Sequence, residues 1–508
     1  MDLWFGLSPL LAVALGGLLL MLAEAFGKSP AGAAAGADAG SGRAQELSLG
    51  SAVVLFAGAV LSFSVWLAGP ETLEGLDAVA PYLIIDRFSV FFAFVLCLGG
   101  GLAALLAGGY LHEHSIDRSE FFPLLVFSTV GAIALAAAGD MLSLFIALET
   151  MSLGVYCMAG LRRTPRAIEA ALKYFLLGSF AAALMLFGAA LLYGATGHTD
   201  FSGIGQAILT VGQKGSNVAV APVLISLALI LAGLAFKISA VPFHQWTPDA
   251  YEGAPTPATT YMAVAVKAAA FAMLLRVLLG CYGAESLMSW GTGWPPVLAV
   301  LAVLTMVVAN VVAGRQSSVK RMLAYSSIAH AGYLLIGVVA TMRSAHGEGS
   351  VLFYLLAYTV STVGAFGALI LCGRNGAEAV SYEDLAGLGR RYPGVALAFS
   401  LFLLSLAGIP PTAGFFGKLY IFRAALDAEL YSLVVIGLIN SVIAAYYYLR
   451  VMVYMYMREP LEGVPTATPM RSGYVVTALI VAGVLVLVLG LLPGSALEMA
   501  TAATASLK

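Results

Sequence analysis

Four ionisable residues lie deep inside long apolar segments of the sequence, where charged groups are rare: Glu149, Lys237, Lys267 and Lys418. Lys267 is near the middle of its segment, too deep for its ammonium group to reach water by extending the side chain. Glu149 has no basic neighbour on its own segment, and an isolated carboxylate at that depth takes up a proton unless a lysine from another helix pairs with it. Ionisable residues inside a membrane are functional candidates by default. A glutamate beside a row of lysines predicts a switchable proton relay, which needs neither metal nor nucleophile.

Two of these lysines lie close to prolines that interrupt their segments. Lys237 precedes Pro242, and Lys418 follows the pair Pro410 and Pro411. Proline removes a backbone donor and breaks a helix, and unwound backbone at membrane depth is tolerated only where it lines protein or a water-filled cavity. The sequence therefore predicts two discontinuous helices, each with a lysine beside its break.

Four further basic residues lie within the apolar segments, and their roles are less specific. Arg423 and Arg450 lie near segment ends, which favours side chains that extend to the surface. Arg276 and Lys173 lie about two turns from an end. At both positions two interpretations are open. The side chain either extends to the surface or pairs structurally, or it takes part in the relay.

Composition places these residues in a membrane protein. Only 10% of the 508 residues are charged, 61% are hydrophobic, and the mean hydropathy is +0.95. An ordinary soluble domain has roughly 25% charged residues, so soluble and disordered classes are excluded. The net charge of -2 also argues against nucleic acid as a partner. We expect the lipid bilayer to surround this chain.

The cysteines and glycines carry no cofactor motif. Cys97, Cys157, Cys281 and Cys372 are far apart, whereas iron–sulfur ligation needs clustered thiolates. We interpret them as small packing residues, and we predict no metal site. No G-x-G-x-x-G motif lies between a strand and a helix, so we predict no nucleotide site.

The sequence contains about fourteen apolar runs of the length that spans a bilayer, roughly 20 residues each. They predict an all-α polytopic protein, and we expect the first run to be an uncleaved span because no positive segment precedes it. The runs are 3–26, 47–68, 86–110, 120–138, 140–161, 166–193, 221–243, 256–283, 295–313, 320–341, 350–373, 394–427, 430–457 and 473–492.

Basic residues between the runs predict the orientation. With the N-terminus outside, 14 lie on the cytoplasmic side and 4 on the other, a strong positive-inside bias. Both termini are therefore expected on the outer side, and 29–46 is expected to be a flexible cytoplasmic loop. The cytoplasmic set is Lys28, Arg43, Arg118, Arg162, Arg163, Arg166, Arg315, Lys320, Arg321, Arg374, Arg390, Arg391, Arg458 and Arg471; the outer set is Arg87, Lys214, Arg343 and Lys508.

The two interrupted runs occupy matching places in two blocks of similar length. Residues 120–283 and 295–457 each hold five runs, and the fourth of each is broken. Since five is odd, the second block enters the membrane from the opposite side, which gives the inverted repeat typical of ion-coupled transporters. The predicted organisation is three helices in 1–119, the two repeats, and a terminal helix with a tail in 473–508.

Several stretches resemble a known family. These are ALETMSLGVY (147–156), EAALKYFLLG (169–178), FKISAVPFHQWTPDAYEGAPTP (236–257), RQSSVKRMLAYSSIAHAGY (315–333) and GIPPTAGFFGK (408–418). They are similar to the antiporter-like membrane subunits of respiratory complex I, the proton-translocating NADH–quinone oxidoreductase. Within that family, the segments around Glu149 and Lys173 favour subunit N over its paralogues L and M. The resemblance covers about 100–460.

The resemblance implies a role for each residue singled out above. Glu149 matches the essential glutamate of the fifth helix, and Lys237 matches the lysine of the broken seventh. Lys267 matches the linking lysine of the eighth helix, and Lys418 the terminal lysine of the broken twelfth. Lys173 and His244 match accessory positions of the polar axis.

The resemblance also implies where the redox chemistry takes place. NADH, flavin, iron–sulfur clusters and quinone would be bound by partner subunits, with no cofactor on this chain. Its partners would be other membrane-arm subunits, including subunit M and the small membrane subunits, in the bacterial inner membrane.

Two other readings of the sequence stay open. One is a subunit of a multi-subunit sodium/proton antiporter, which shares the pattern of the fifth and seventh helices. The other is a structural spacer of the membrane arm, for which Lys237 would be dispensable.

Overall fold

The protein is almost entirely helical, as predicted. The computed structural model describes residues 2–26, 38–114, 116, 118–210, 218–291, 293–373, 376–460, 463 and 466–507. Within these ranges the only β-structure is a few isolated bridges. Lys28, Lys214, Arg374 and Lys508, which were used to predict orientation, lie outside the described residues.

The N-terminal part contains three long helices, α2, α3 and α4, and the domain boundary at residue 119 stays a prediction. The third run agrees closely with its helix, but the second helix begins at Asp38, so the expected loop over 29–46 is wrong for residues 38–46; residues 29–37 lie outside the described ranges. Arg43 pairs with Glu24 at 3.2 Å and so ties the second long helix to the first. The helices are α1 (Asp2–Gly6), α2 (Ser8–Phe26), α3 (Asp38–Ala68) and α4 (Arg87–Glu113).

The first predicted repeat contains the first discontinuous helix, which stops at Lys237 and resumes at Trp246. A single π-helical stretch, Met262–Val266, lies between α11 and α12 and makes them one continuous membrane helix. The short helices α8 and α10 were not predicted. The elements are α5 (Phe121–Ala137), α6 (Met141–Gly160), α7 (Pro165–Thr196), α8 (Phe201–Leu209), α9 (Val220–Lys237), α10 (Trp246–Gly253), α11 (Thr256–Tyr261) and α12 (Lys267–Gly280).

The second predicted repeat contains the second discontinuous helix, which stops at Ala407 and resumes at Ala413. A further short helix, α21, follows the last membrane helix in the predicted tail. The elements are α13 (Pro295–Ala313), α14 (Val319–Ala340), α15 (Gly347–Leu371), α16 (Leu388–Arg391), α17 (Pro393–Ala407), α18 (Ala413–Asp427), α19 (Tyr431–Met457), α20 (Gly473–Leu491) and α21 (Pro493–Ala503).

Each predicted apolar run corresponds to a helix. Twelve helices in the described ranges are long and apolar enough to cross a membrane, and α5 and α17 are shorter apolar helices. Two of the fourteen runs therefore lack a helix of that length: 120–138, which corresponds to α5, and 394–427, which is divided between α17 and α18. The boundaries of the two repeats stay a prediction.

Local sequence signals explain where several helices begin. The Asp86 carboxylate accepts a hydrogen bond from the backbone N–H of Ser89 at the start of α4, and Asp140 accepts from Leu142 at the start of α6. Thr164 and Ser318 cap α7 and α14 in the same way. Such caps satisfy backbone donors that a helix leaves unpaired at its N-terminus.

The centre of the bundle consists of α4, α11–α12, α14 and α15, which are buried along nearly their whole length. The peripheral helices α7 and α19 instead expose large apolar side chains such as Phe180 and Val442. An exterior of this kind suits lipid or a membrane partner and is rare on soluble monomers. The central helices therefore provide the shielded interior in which the ionisable residues lie.

A buried carboxylate joins separate parts of the chain at one end of the bundle. Glu378, in the loop after α15, accepts hydrogen bonds from Tyr110 of α4 at 2.6 Å, from Arg162 at 3.0 Å and from Thr256. It also pairs with Lys320 of α14 at 3.2 Å. Burial opposes its ionisation, but the positive charges of Lys320 and Arg162 outweigh burial and lower the pKa of Glu378 to about 2.

We expect Glu378→Gln to destabilise the fold, because it leaves Lys320 and Arg162 without their counter-charge. Breaking a buried pair costs about 3–5 kcal/mol, and the partial exposure of Arg162 favours the lower end of that range. Folding lowers the pKa of Glu378, so the ionised carboxylate stabilises the folded state. This stabilisation is complete above pH 4.5, the ordinary pKa of a glutamate, and is lost only as the pH falls towards 2. The midpoint of thermal unfolding at neutral pH in detergent measures the loss.

The matched control is Glu459→Gln, which removes an exposed ion pair with Arg390. Exposed pairs contribute about 0–1 kcal/mol, so this midpoint should hardly move. Equal midpoints for the two variants would contradict the assignment of Glu378 as a structural link.

Candidate functional site

Lys237 is the last residue of α9, immediately before the first break, and is buried. Its Nζ donates to Ser152 Oγ at 2.8 Å and to the Tyr156 hydroxyl at 3.2 Å, both on α6. The same Nζ lies 5.5 Å from the centroid of the Tyr156 ring. Neutral hydroxyls and a ring face therefore surround the ammonium group, with no carboxylate of the described residues within salt-bridge distance.

Glu149 lies on α6, one turn before Ser152, and is partly buried. Its Oε1 is buried and makes no hydrogen bond with the part of the chain that is described. Glu149 and Lys237 interact electrostatically, but no ion pair within 4.0 Å joins them. The structure thus brings the predicted pair to the same side of α6 and leaves Ser152 between them.

Lys267 follows the π-helical stretch Met262–Val266 and is 2% exposed. Its Nζ donates to Ser327 Oγ on α14 at 2.6 Å and also to the Ser327 carbonyl. The Tyr358 hydroxyl of α15 donates to the same Oγ at 2.9 Å. One wide π-turn in an α-helix is frequent at functional sites, and here it directly precedes the central lysine.

Lys418 lies on α18, beyond the second break, and is also buried. Its Nζ donates to the Ala407 carbonyl at 2.8 Å and to Ser441 Oγ at 3.0 Å. Ala407 ends α17, so the lysine satisfies a carbonyl that the break leaves without a helical partner. The negative end of the helix dipole favours a cation at this position.

His330 connects Lys267 and Lys418 along α14. Ser327, which binds Lys267, precedes His330 by three residues, and Tyr333, whose ring centroid is 5.0 Å from Lys418 Nζ, follows it by three. The ring of His330 is buried, with Nδ1 at 2.6 Å from the Tyr354 hydroxyl and Nε2 at 3.1 Å from the Tyr448 hydroxyl. A polar row therefore runs from Lys267 to Lys418.

The interval between Lys237 and Lys267 is lined by aromatic residues. Tyr156 contacts Tyr174 edge to face at 4.6 Å, and Tyr174 stacks on Trp246 at 4.1 Å. Tyr251 lies next to Trp246, with ring centroids 6.3 Å apart. The described residues show no unbroken hydrogen-bonded chain across this interval, and in the row around His330 no hydrogen bond between them joins the histidine to Ser327 or to Lys418.

Comparison with known proteins identifies the family. Residues 138–444 match the family model described as NADH:quinone oxidoreductase/Mrp antiporter, TM. NADH-quinone oxidoreductase subunit N 1 of Sorangium cellulosum is 67% identical over 506 residues, which cover 98% of each chain. The chain belongs to the subunit N family of NADH-quinone oxidoreductases. A chain of respiratory complex I from Thermus thermophilus agrees with this, with a TM-score of 0.77 and 35% identity over 96% of this chain and 98% of that one.

The antiporter reading is not favoured by these comparisons. A chain of the Mrp complex from Dietzia superposes with a TM-score of 0.81, and the match covers 100% of this subunit N and 97% of the Mrp chain. Its identity is only 21%, so it shows a shared fold alone. The high identity to a subunit N over nearly the whole length decides between the two readings.

Lys173 does not lie with the other lysines of this subunit N. Its side chain is 42% exposed and pairs with Glu169 at 2.6 Å and with Asp249 at 2.8 Å. Arg321 pairs with the other oxygen of Asp249 at 2.9 Å. Lys173 therefore belongs to a half-exposed ion-pair cluster that links α7, α10 and α14, and its accessory role in the relay stays a prediction.

His244 and the three prolines lie in the breaks, as predicted. The bonds Val241–Pro242 and Pro410–Pro411 are cis. His244 is partly buried, and its Nδ1 has no hydrogen-bond partner among the described residues. The break also leaves the backbone N–H of Val241 without a partner within a helix, and this N–H donates to Thr305 Oγ1 on α13 at 2.9 Å.

Sequence reasoning did not single out His330, Ser327 or Ser441. The spacing of Ser327, His330 and Tyr333 by three residues places them along one face of a helix, which was the available signal. Among the residues that the structure describes, no group of three His, Cys, Asp or Glu side chains could hold a metal ion.

We expect Gly408→Ala to disturb Lys418. Gly408 has φ +85°, and an added Cβ would lie 2.9 Å from Lys418 Cδ. A non-glycine residue in this conformation costs about 1–3 kcal/mol, and the clash pushes the lysine away from the Ala407 carbonyl. Proton pumping by the assembled oxidoreductase in vesicles should fall markedly.

Gly394→Ala is the matched control, because an added Cβ there meets no atom within 4 Å. It should pump like the unmodified protein. Normal pumping by Gly408→Ala as well would show that the close approach of Lys418 to the break is unimportant.

Proposed function

We propose that this subunit N moves protons across the membrane through Glu149, Lys237, Lys267, His330 and Lys418. The observation that supports the proposal most directly is the environment of the three buried lysines. Each ammonium group is held by hydroxyls, carbonyls or ring faces, without a salt bridge to any described carboxylate. A structural buried cation is normally paired, so unpaired lysines suit groups that gain and lose a proton.

The chemistry follows from the balance between burial and nearby charge. An approaching carboxylate stabilises a protonated lysine, and its withdrawal favours the neutral amine. In this scheme Glu149 controls the protonation of Lys237, because the two already interact without contact. When Glu149 moves away, the proton on Lys237 passes towards Lys267 across the interval lined by Tyr156, Tyr174 and Tyr251.

The second half of the relay is lined by polar groups of α14. A proton on Lys267 passes by way of Ser327 towards His330, one turn further along the helix, whose two ring nitrogens each contact a tyrosine hydroxyl. Imidazole can accept a proton at one nitrogen and donate from the other, so His330 can transmit a proton towards Lys418. Lys418 is the terminal site, and the Ala407 carbonyl and Ser441 stabilise its charged form.

The energy for this transfer comes from partner subunits in our proposal. NADH, flavin, iron–sulfur clusters and quinone are bound there, and this chain receives the coupling through neighbouring membrane-arm subunits, among them subunit M and the small membrane subunits. The end of the bundle that holds Arg162, Lys320 and Glu378 faces the bacterial cytoplasm, and both termini face outwards across the inner membrane. The positive-inside bias supports this orientation.

We expect Glu149→Ala and Lys237→Ala to lower proton pumping by at least about tenfold, because each removes a group that carries or controls the proton. Pumping is measured with a pH-sensitive dye in vesicles, together with quinone-reductase rate and the amount of assembled complex. Normal proton stoichiometry in both variants would overturn the relay and favour the structural-spacer reading.

We expect Lys267→Arg to impair pumping, although it keeps the positive charge, because a guanidinium group does not release its proton at physiological pH. Lys173→Arg serves as the comparison, since an arginine preserves the ion pairs with Glu169 and Asp249. It should retain pumping. Unimpaired pumping by Lys267→Arg would show that Lys267 does not titrate during turnover.

A further inference from the structure

A large open cavity lies at the end of the bundle that carries Glu378, and none of the relay lysines Lys237, Lys267 and Lys418 lines it. Its volume is about 1040 Å³, and it is formed by the segment after α4, the α6–α7 turn, the end of α10 and the loop after α15. The Arg162–Glu378 ion pair, at 3.0 Å, forms part of its wall. The relay makes no use of this cavity.

Four arginines line the cavity: Arg118, Arg162, Arg163 and Arg166. Only Arg162 forms a salt bridge with a carboxylate of the described residues. Arg118, Arg163 and Arg166 have no such partner within 4.0 Å there, and all three retain access to solvent. The acidic residues in the lining are Glu252, which accepts a hydrogen bond from Ser318, and Glu378, which is neutralised by Arg162 and Lys320. The cavity therefore carries an excess of positive charge.

The start of a helix adds to the preference for an anion. The 32-residue helix α7 begins at the cavity wall, with Thr164 as its N-cap followed by Pro165 and Arg166, so its positive dipole end faces this region. His114 also lines the cavity, but its Nδ1 donates to the Tyr110 carbonyl at 2.9 Å, so the neutral ring offers no further donor.

The position of the cavity indicates which anion it suits. It lies beside the ends of the membrane helices α4 and α6 and the start of α7, where such helices are expected to reach the level of lipid headgroups. Apolar residues Ile116, Leu161 and Val380 share its wall with the arginines. Arginine recognises phosphate oxygens through paired N–H donors. Basic pockets between membrane helices on the cytoplasmic side bind anionic lipid headgroups.

We propose that this cavity is a binding site for the phosphate of an anionic phospholipid, held by Arg118, Arg163 and Arg166. Positive-inside topology alone would place arginines on this side of the membrane, but it does not require three around one cavity without a salt bridge to any carboxylate of the described residues. Inorganic phosphate has the same chemistry, and the experiment below separates the two sources.

The test uses the assembled oxidoreductase, purified in detergent, depleted of lipid and titrated with radiolabelled phosphatidylglycerol. The variant is R163Q/R166Q, and R163K/R166K keeps the charges. The matched control is R315Q/R471Q, which removes two exposed arginines from the same end of the bundle outside the cavity. Native gels establish that each complex is assembled.

We expect R163Q/R166Q to bind one equivalent of phosphatidylglycerol about thirtyfold more weakly, because each arginine near the surface contributes about 1 kcal/mol to binding an anionic lipid. The control should bind like the unmodified complex, and the lysine variant should bind more tightly than R163Q/R166Q because it keeps the charges but loses the paired N–H donors. If R163Q/R166Q fails to assemble, R118Q, on a different loop, tests the same cavity and should also weaken binding.

Three results would overturn the proposal. One is undiminished phosphatidylglycerol binding by R163Q/R166Q, or by R118Q where the double variant does not assemble. Another is equal binding of neutral phosphatidylcholine, which would exclude recognition of charge. The third is displacement of the lipid by excess inorganic phosphate, which would assign the cavity to a soluble anion.

Discussion

The structure depends on the cost of holding a charge in an apolar interior. A lysine in such surroundings must pair with a carboxylate, lose its proton, or form enough hydrogen bonds and ring contacts with neutral polar groups to remain charged. Lys320 takes the first course with Glu378, whereas the polar contacts of Lys237, Lys267 and Lys418 with the described part of the chain are to hydroxyls, carbonyls and aromatic rings. The same residue type therefore serves two purposes in one bundle, and the presence of a carboxylate within contact distance distinguishes them.

The two helix breaks supply what the lysines need. At the second break, the free carbonyl of Ala407 accepts from Lys418, and Gly408 leaves room for the lysine stem. At the first, Lys237 is the last helical residue, and its ammonium group reaches across to α6. An intact helix would satisfy the Ala407 carbonyl internally. The interruption therefore provides a polar partner for Lys418 without adding a charge.

Much of the fold follows from the sequence because the bilayer restricts the choices. The apolar runs predicted the membrane helices, and Pro242 and the pair Pro410 and Pro411 predicted both breaks. The extension of α3 back to Asp38 was missed, since a segment rich in alanine, glycine and serine suggests a loop and its helix is held by the Arg43–Glu24 pair. Tertiary contacts of that kind are invisible in a single sequence.

The sequence predicted which ionisable residues belong to the site better than it predicted which residues contact one another. Burial and rarity selected Glu149, Lys237, Lys267 and Lys418, but a sequence does not show which helices touch. His330 escaped notice because a histidine in an apolar helix is unremarkable until Tyr354 and Tyr448 are seen at its two nitrogens. Lys173 illustrates the opposite case, because the sequence suggested a place beside the relay. In the structure α7 leaves its side chain half exposed, and it pairs with Glu169 and Asp249 instead.

The Glu378 cluster has a consequence for the order in which the chain is made. Arg162 leaves the ribosome 216 residues before the carboxylate that neutralises it, and Tyr110 emerges 268 residues before it. Until the loop after α15 is synthesised, the partners from α4, α11 and α14 are in place without their common acceptor. Closure of this end of the bundle is thus a late event of biogenesis, and a nascent chain that stops before Glu378 carries Arg162 and Lys320 without the carboxylate that neutralises them.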